Sequence, residues 1–246
     1  MNDILQKTYS QVITYPNYDI KETRNRIKEL NKLKINTLIF EGDIQFGSIH
    51  ILGKGHESVV VKAKFDDKIF ALKIRRTDSS RSNVNNEVEY LRLANSINVG
   101  PQLKNYTDNM ILMEFIPDIT LANWIQNLSG NTSTINLKKT IRDLLYQCRK
   151  LDRIGLDHGE LSNLFKHVFV GEKISILDFE SSSISRRVKN VSSAVQWLFI
   201  GGPFSHKVRD FLHISDIDDI KISTKLYKFE MNDYSFNELL KCLKIR

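Results

Sequence analysis

Cysteine, proline and glycine are all scarce in this sequence, with two, four and eleven among 246 residues. Cys148 and Cys242 lie far apart and show no metal-ligand spacing, which argues against a disulfide framework or a zinc ribbon. The expectation is two buried thiols in a reducing, cytoplasmic setting. So little proline and glycine leaves no low-complexity linker. The first residues, from Asn2 to Lys7, carry no apolar core segment, so no signal peptide is expected. Long apolar runs are lacking too. The longest, around Trp197, is interrupted by Gln196 and ended by Gly201 and Gly202, so neither a membrane span nor a membrane partner is expected. No internal repeat is visible, which excludes solenoids and propellers. What is present, 41% apolar and 26% charged residues, is ordinary for a folded protein and rules out wholesale disorder. The length allows one large domain or two compact lobes.

Basic residues outnumber acidic ones, 36 to 29, for a formal net charge of +7. Residues 1–36 carry seven basic and four acidic side chains, residues 185–246 eleven and seven, and residues 37–184 eighteen of each. An anionic partner is therefore expected at the flanks. RNA or a ribosomal surface fits that chemistry, with Arg24, Arg26, Lys28, Lys32 and Lys34 in front and Arg186, Arg187 and Lys189 behind. The blander account of the same residues is solvated helix faces, without interleaved aromatics for base stacking.

Along the chain, Ile20, Ile27, Leu30 and Leu33 among charged residues predict a basic amphipathic helix over 20–34. From Thr37 the period changes to two: Leu38 and Phe40, Ile49 and Ile51, then Val59, Val61, Ala63 and Phe65 alternate with polar neighbours. Asp66-Asp67 is a hairpin turn, Ile69 to Arg75 the returning strand, and Val84, Val88 and Leu91 mark a helix that stops before Gly100-Pro101. Met110 to Phe115 is a strand closed by Pro117-Asp118. Beyond Thr120 the chain is mainly helical, with stripes through Leu121, Trp124, Ile125 and Leu128, and through Leu137, Ile141, Leu144, Leu145, Cys148 and Leu151. A second small hairpin pairs 168–170 with 174–177, Val191 to Ile200 is an apolar helix, and 204–246 hold two or three more. The plan is α+β, divided as a basic helical extension (1–36), a sheet-rich lobe (37–116) and a helical lobe (117–246).

Gly53-Lys54-Gly55-His56-Glu57-Ser58 sits at a turn between strands, where glycine lets backbone amides approach phosphate oxygens and Ser58 adds a hydroxyl. On the next strand, alternation puts Lys73 on the face of Ile69 and Ala71, a sheltered place where an ammonium needs an anionic partner. Glu87, three and four positions from Val84, Val88 and Leu91, lies on the apolar face of its helix and can be that partner. Gly53-x-Gly55-x-x-Ser58-x-Val60, Ala71-x-Lys73 and Asn86-Glu87 follow the order of the protein-kinase amino-terminal lobe. The run from Gly53 to Ser58 resembles the RIO group of atypical kinases in particular. Met113-Glu114-Phe115-Ile116-Pro117 resembles the hinge between kinase lobes, with Met113 as gatekeeper. The resemblance implies that backbone groups of Glu114 and Ile116 hold adenine beneath Val60 and Ala71.

Downstream, Leu156-Asp157-His158-Gly159-Glu160-Leu161 stands where kinases carry their catalytic loop, and Leu177-Asp178-Phe179-Glu180 follows an apolar strand where Asp-Phe-Gly is expected. Eighteen positions separate Glu160 from Asp178. The combination is similar to a predicted archaeal serine/threonine kinase family, over roughly residues 47–200. The resemblance implies a bilobal protein-kinase-like fold that uses ATP and Mg²⁺. Lys73, held by Glu87, would grip the α and β phosphates, Asp178 would ligate Mg²⁺, and Glu160 would orient the attacking hydroxyl and accept its proton. Departures from the pattern are plain. Glutamate replaces the catalytic aspartate, Phe165 or His167 falls where a metal-binding asparagine belongs, with Asn163 off register, and Glu180 replaces glycine. About ten residues separate Glu180 from Val191, too few for an ordinary activation segment, and Ser192 or Ser193 falls where an aspartate usually anchors the next helix. Three activities stay open: a minimal serine/threonine protein kinase acting on a protein hydroxyl and able to autophosphorylate, a nucleotide-binding pseudokinase, and a small-molecule kinase.

Overall fold

A computed structural model describes residues 2–117, 119–130 and 132–246, with side chains from Thr8 onward apart from Thr132. Asp118, expected to help close a strand, lies outside the described residues. The chain divides into two compact units, Met1–Arg92 with Pro101–Ile116, and Leu93–Gly100 with Pro117–Arg246.

The first unit is built on a mixed-length antiparallel sheet. Its strands are β1 (Thr37–Ile39), β4 (Gly53–Lys54), β5 (Ser58–Phe65), β6 (Lys68–Arg75), β7 (Leu103–Tyr106) and β8 (Met110–Glu114), while β2 (Ile44–Phe46) and β3 (Ile49–Ile51) form a separate hairpin. The strand order is β1-β5-β6-β8-β7, with β4 paired to β5. Asp66 and Asp67 both take positive φ in the tight turn from β5 to β6, the geometry such a two-residue hairpin demands. Alternation then separates two faces. Val59, Val61, Ala63, Leu72, Ile74, Met110 and Leu112 point into the core, which leaves Val60, Ala71, Lys73, Ile111 and Met113 together on the other face.

Helices α1 (Asn2–Ile13) and α2 (Ile20–Lys32) complete that core, with Val12, Ile13, Leu30 and Leu33 packed beneath the sheet. The segment 1–36 is thus part of the sheet's packing, not an appendage to it. The stripe of α2 also differs from expectation. Ile20 and Ile27 are 58% and 42% exposed, and Thr23, Arg26 and Leu30 face inward instead. Arg26 is fully buried; its Nε donates to Glu22 Oε1 at 2.6 Å and its Nη1 to the Asn109 carbonyl at 3.4 Å. Glu29 in turn accepts from the Asn109 amide at 3.1 Å and from Thr107 Oγ1. A buried arginine is tolerable only with partners of this kind, and α2 is thereby pinned to the β7–β8 turn.

The second unit is mainly helical. The long α5 (Thr132–Arg153), preceded by α4 (Leu121–Gln126), carries the expected buried stripe from Leu137 to Leu151. A small sheet of β9 (Ile119–Thr120), β10 (Val168–Val170) and β11 (Ile174–Ile176) includes the anticipated hairpin, and a single helical turn, α6 (Leu164–His167), leads into it. A short 3-10 turn (Phe179–Ser181), α7 (Asn190–Val195), a π-helical stretch (Gln196–Gly201), α8 (Ser205–Leu212), α9 (Ile217–Glu230) and α10 (Asp233–Cys242) complete it. Asp152 on α5 is buried and accepts from Tyr227 Oη at 2.7 Å and from both nitrogens of Asn190, tying α5, α7 and α9 together. No helix among the described residues is long and apolar enough to cross a membrane.

Candidate active site

In the first unit, Lys73 Nζ donates to Glu87 Oε1 at 2.7 Å, with the two side chains only 5% and 8% exposed. Lys73 lies opposite Val60 on β5 and Ile111 on β8, and Glu87 comes from the first turn of α3 (Asn85–Ser96). The sheltered lysine therefore meets the sheltered glutamate. Ala71 pairs with Met113, which puts the expected adenine-contacting side chains on Lys73's face. At the hinge-like segment, the Glu114 amide donates to the Gln102 carbonyl at 2.8 Å, and the Glu114 carboxylate accepts from the Gln102 amide at 3.1 Å. The Glu114 amide, one of the backbone groups expected to hold adenine, is thus committed within the fold.

The glycine turn is braced rather than open. The Gly55 amide, expected to face phosphate, donates to the Ser58 carbonyl at 2.8 Å, and the Gly55 carbonyl accepts from Arg76 Nη1 at 2.9 Å. Arg76 is also held bidentately by Asp78 at 2.8 and 2.6 Å. Glu57 accepts from Ser79 Oγ, from the Ser80 amide at 3.0 Å and from Ser80 Oγ at 2.8 Å. The Ser79 hydrogen bond, with Ser80 and the Arg81 charge adding to it, holds the Glu57 carboxyl below its ordinary range. Arg75 is likewise committed within the fold, donating to Asn109 Oδ1 at 2.7 Å and to the Arg81 carbonyl at 2.8 Å. Gly53 has ordinary room, a Cβ there meeting Val60 only at 3.6 Å.

In the second unit, one ligand atom each of Glu160, His167 and Asp178 lies within 4.8 Å of the other two. His167 Nε2 is 3.1 Å from Glu160 Oε2, and its Nδ1 is 3.8 Å from Asp178 Oδ2. Asp178 takes a left-handed backbone conformation, φ +71° and ψ 77°, which aspartate tolerates better than most side chains. Two residues named around the missing asparagine lie elsewhere. Asn163 caps α6 by accepting from the Phe165 amide at 3.2 Å, and Phe165 is exposed. His167, the other residue read at the missing asparagine's place, is the one that faces Asp178. Its register is fixed by the Leu177 amide, which donates to the His167 carbonyl at 2.8 Å. Two carboxylates and an imidazole, with the buried His167 Nδ1 lacking a hydrogen-bond partner, form a donor set that fits a divalent cation.

His158 supports this group without joining it. Burial, and then the neighbouring His167, push its pKa down to about 4, so it is neutral near pH 7. Its Nε2 donates to the Leu177 carbonyl at 3.0 Å, and its Nδ1 accepts weakly from the Glu160 amide at 3.4 Å. Ser181 Oγ donates to Glu160 Oε1 at 2.9 Å. Asn190, just ahead of the serines that stand where the anchoring aspartate is missing, ties the loop down: its Oδ1 accepts from the His158 amide at 2.9 Å and its Nδ2 donates to the Leu156 carbonyl at 2.8 Å. Asp157 accepts from Arg186 Nε at 2.5 Å, and Arg186 Nη2 reaches the Ser181 carbonyl at 2.9 Å. Arg187 donates to the Lys228 carbonyl at 2.6 Å. Both arginines are thus engaged within the fold. Asn190 and Ser181 were not singled out in the sequence as parts of a site. Only Asn190, the polar first residue of an apolar helix, carried a signal that finds it.

A strand lysine held by a helix glutamate in one unit, with an acidic loop residue and a strand-end aspartate in the other, defines a protein-kinase-like phosphotransferase class. Sequence comparison specifies the branch. Residues 54–192, more than half of the chain, match the RIO domain, and the chain belongs to that family. It is also similar to an uncharacterized protein of Methanocaldococcus jannaschii, 29% identical over 116 residues that make up 47% of this chain and 96% of that protein.

Proposed function

We propose that the chain is an ATP- and divalent-metal-dependent serine/threonine protein kinase of minimal RIO-like type, working in a reducing cytoplasmic setting. The observation that carries this reading is the buried Lys73–Glu87 pair. A desolvated ion pair is weak as a stabilising device, so its retention on a sheet face shared with Val60, Ala71 and Met113 is better accounted for by use. Lys73 neutralises the α and β phosphates while Glu87 holds its Nζ in place. The divalent cation, Mg²⁺ when carried in with ATP, supplies charge neutralisation for the polyphosphate, and Asp178 is its protein ligand. Glu160 orients the acceptor hydroxyl and takes its proton as the oxygen bonds to the γ-phosphorus; the bond to the β–γ bridging oxygen breaks and ADP leaves. The Ser181 hydroxyl already donates to Glu160 Oε1, which supports this role and makes Ser181 the first serine to examine for autophosphorylation.

The test is transfer from γ-labelled ATP, comparing the natural chain with Lys73→Ala, Asp178→Ala, Glu160→Gln and Glu160→Asp. The expected result is transfer by the natural chain and a loss of at least about a hundredfold in the first three variants. ATP binding without labelling or turnover would instead support the pseudokinase reading, and labelling of small alcohols but no protein would support a small-molecule kinase.

A further inference from the structure

The half-buried ring of Tyr15, in the turn that follows α1, stands against two cations that belong to the glycine turn and its support. Lys54 Nζ, on β4 within that turn, is 4.8 Å from the ring centroid, and the Arg76 guanidinium carbon is 4.9 Å from it. Phe46 of the β2–β3 hairpin meets the same ring edge to face, with centroids 4.9 Å apart and planes at 64°. The backbone ties the same places together. The Thr77 amide donates to the Tyr15 carbonyl at 2.8 Å, and Thr77 Oγ1 lies 3.2 Å from the Thr14 and Tyr15 carbonyls. One residue earlier, the Arg76 amide donates to the Glu57 carbonyl at 2.9 Å, while its Nη1 donates to the Gly55 carbonyl at 2.9 Å.

We propose that Tyr15 is a positioning residue for the glycine turn: its ring fixes Arg76 and Lys54, and through them the backbone from Gly55 to Glu57, before any phosphate arrives. The proposal rests on the phosphotransferase reading for what the turn receives, and extends it to a residue outside the kinase pattern. Arg76 has Nε and Nη2 on Asp78 and Nη1 on Gly55. The edge of its guanidinium is therefore held by hydrogen bonds, and its face is left for an aromatic ring. A cation over such a ring is attracted by the ring's quadrupole, more strongly where water is partly excluded. A turn with two glycines otherwise samples many conformations, and ordering it on binding would weaken the hold on phosphate. Ordered in advance, the turn holds phosphate-bearing ligands more tightly, whereas a bare nucleoside, which lacks phosphate, should not feel the difference.

The experiment compares Tyr15→Phe, which keeps the ring, with Tyr15→Leu, which removes it, in the full chain. Without nucleotide, the Gly55 amide should exchange with solvent about fivefold faster or more in Tyr15→Leu, and within about twofold of the natural rate in Tyr15→Phe. The Asn98 amide, in a turn of the other unit, should keep its rate in both. ATP affinity by calorimetry should fall about fivefold or more in Tyr15→Leu, with adenosine affinity unchanged within about twofold. Because ring and guanidinium act through one contact, Tyr15→Leu and Arg76→Gln together should weaken ATP binding no more than the stronger of the two alone. Unchanged Gly55 exchange in Tyr15→Leu, an equal loss for ATP and adenosine, full additivity with Arg76→Gln, or a Tyr15→Phe that behaves as Tyr15→Leu would each overturn the proposal. If Tyr15→Leu does not fold, nucleotide-free Arg76→Gln decides. The Tyr15 ring resonances and the Gly55 amide should shift together in it, and ring signals left unmoved overturn the proposal. The two readings fail separately. A chain that binds no ATP, yet whose Gly55 amide responds to Tyr15→Leu, removes the kinase reading alone. Phosphoryl transfer, with ATP affinity and Gly55 exchange indifferent to Tyr15→Leu, removes the positioning proposal alone.

Discussion

A Cβ on Gly159 would lie 2.5 Å from the Ser181 carbonyl oxygen and 2.6 Å from Arg186 Nη2, in a backbone with φ +92°. Neither neighbour is free to yield, because Arg186 is anchored by the buried Asp157 carboxylate. Gly159→Ala should therefore destabilise the protein by roughly 2–4 kcal/mol, read as a lower urea midpoint, with the 181–186 segment losing hydrogen-exchange protection first. The motif around Gly159 was recognisable in the sequence, but its steric reason was not, since the groups it accommodates lie more than twenty positions downstream. Lys73 and Glu87 were legible because strand parity and helix spacing each placed a charge on an apolar face. Arg26 was not legible by the same logic. Its charge sat where a stripe of apolar residues was sought, and the groups that satisfy it, Glu22 and the Asn109 carbonyl, include a long-range partner.

At the scale of elements, the glycine turn depends on the loop after β6. Arg76 reaches the Gly55 carbonyl, while Glu57 gathers Ser79 and Ser80. Because hydrogen bonding puts the folded pKa of Glu57 below its ordinary value of 4.5, its brace is in full force above that value. It is lost as pH falls through the folded pKa. The Ser80 amide resonance should accordingly titrate below pH 4.5 with the Glu57 carboxyl, and Glu57→Gln should abolish that titration while loosening the turn. A Ser80 shift that persists in the variant would assign it to another group. Whereas β2, β7 and β9 had no counterpart in the reading of the sequence, the β5–β6 hairpin and β8 were read well because a period of two and a pair of aspartates are local signals. The single turn of α6 and the π-helical stretch after α7 were not. A four-residue helix has no period to detect, and one extra residue per turn leaves an apolar run apolar.

For the whole molecule, the charge excess looked in the sequence like two basic appendages around a balanced centre, and packing changes that picture at both ends. Arg186 and Arg187 are engaged within the fold, and of the five basic residues named on the leading segment, Arg24, Lys28, Lys32 and Lys34 stay exposed while Arg26 does not. Any anionic partner of this surface must therefore be sought by reversing those four charges, because deleting the segment removes Val12, Ile13, Leu30 and Leu33 from the sheet's core. Each such side chain contributes about 1.5–3 kcal/mol when buried, so their combined loss is comparable with the entire stability of a typical domain, about 5–15 kcal/mol. A chain beginning at Thr37 should accordingly lose cooperative unfolding of the unit that holds Lys73 and Glu87, seen by calorimetry as a missing or strongly lowered transition. ATP binding should fall with it even though every residue matching the kinase pattern is still present. If the shortened chain instead melts within a few degrees of the natural one, the two helices are a removable extension, and the buried network from Glu22 through Arg26 to Asn109 contributes almost nothing.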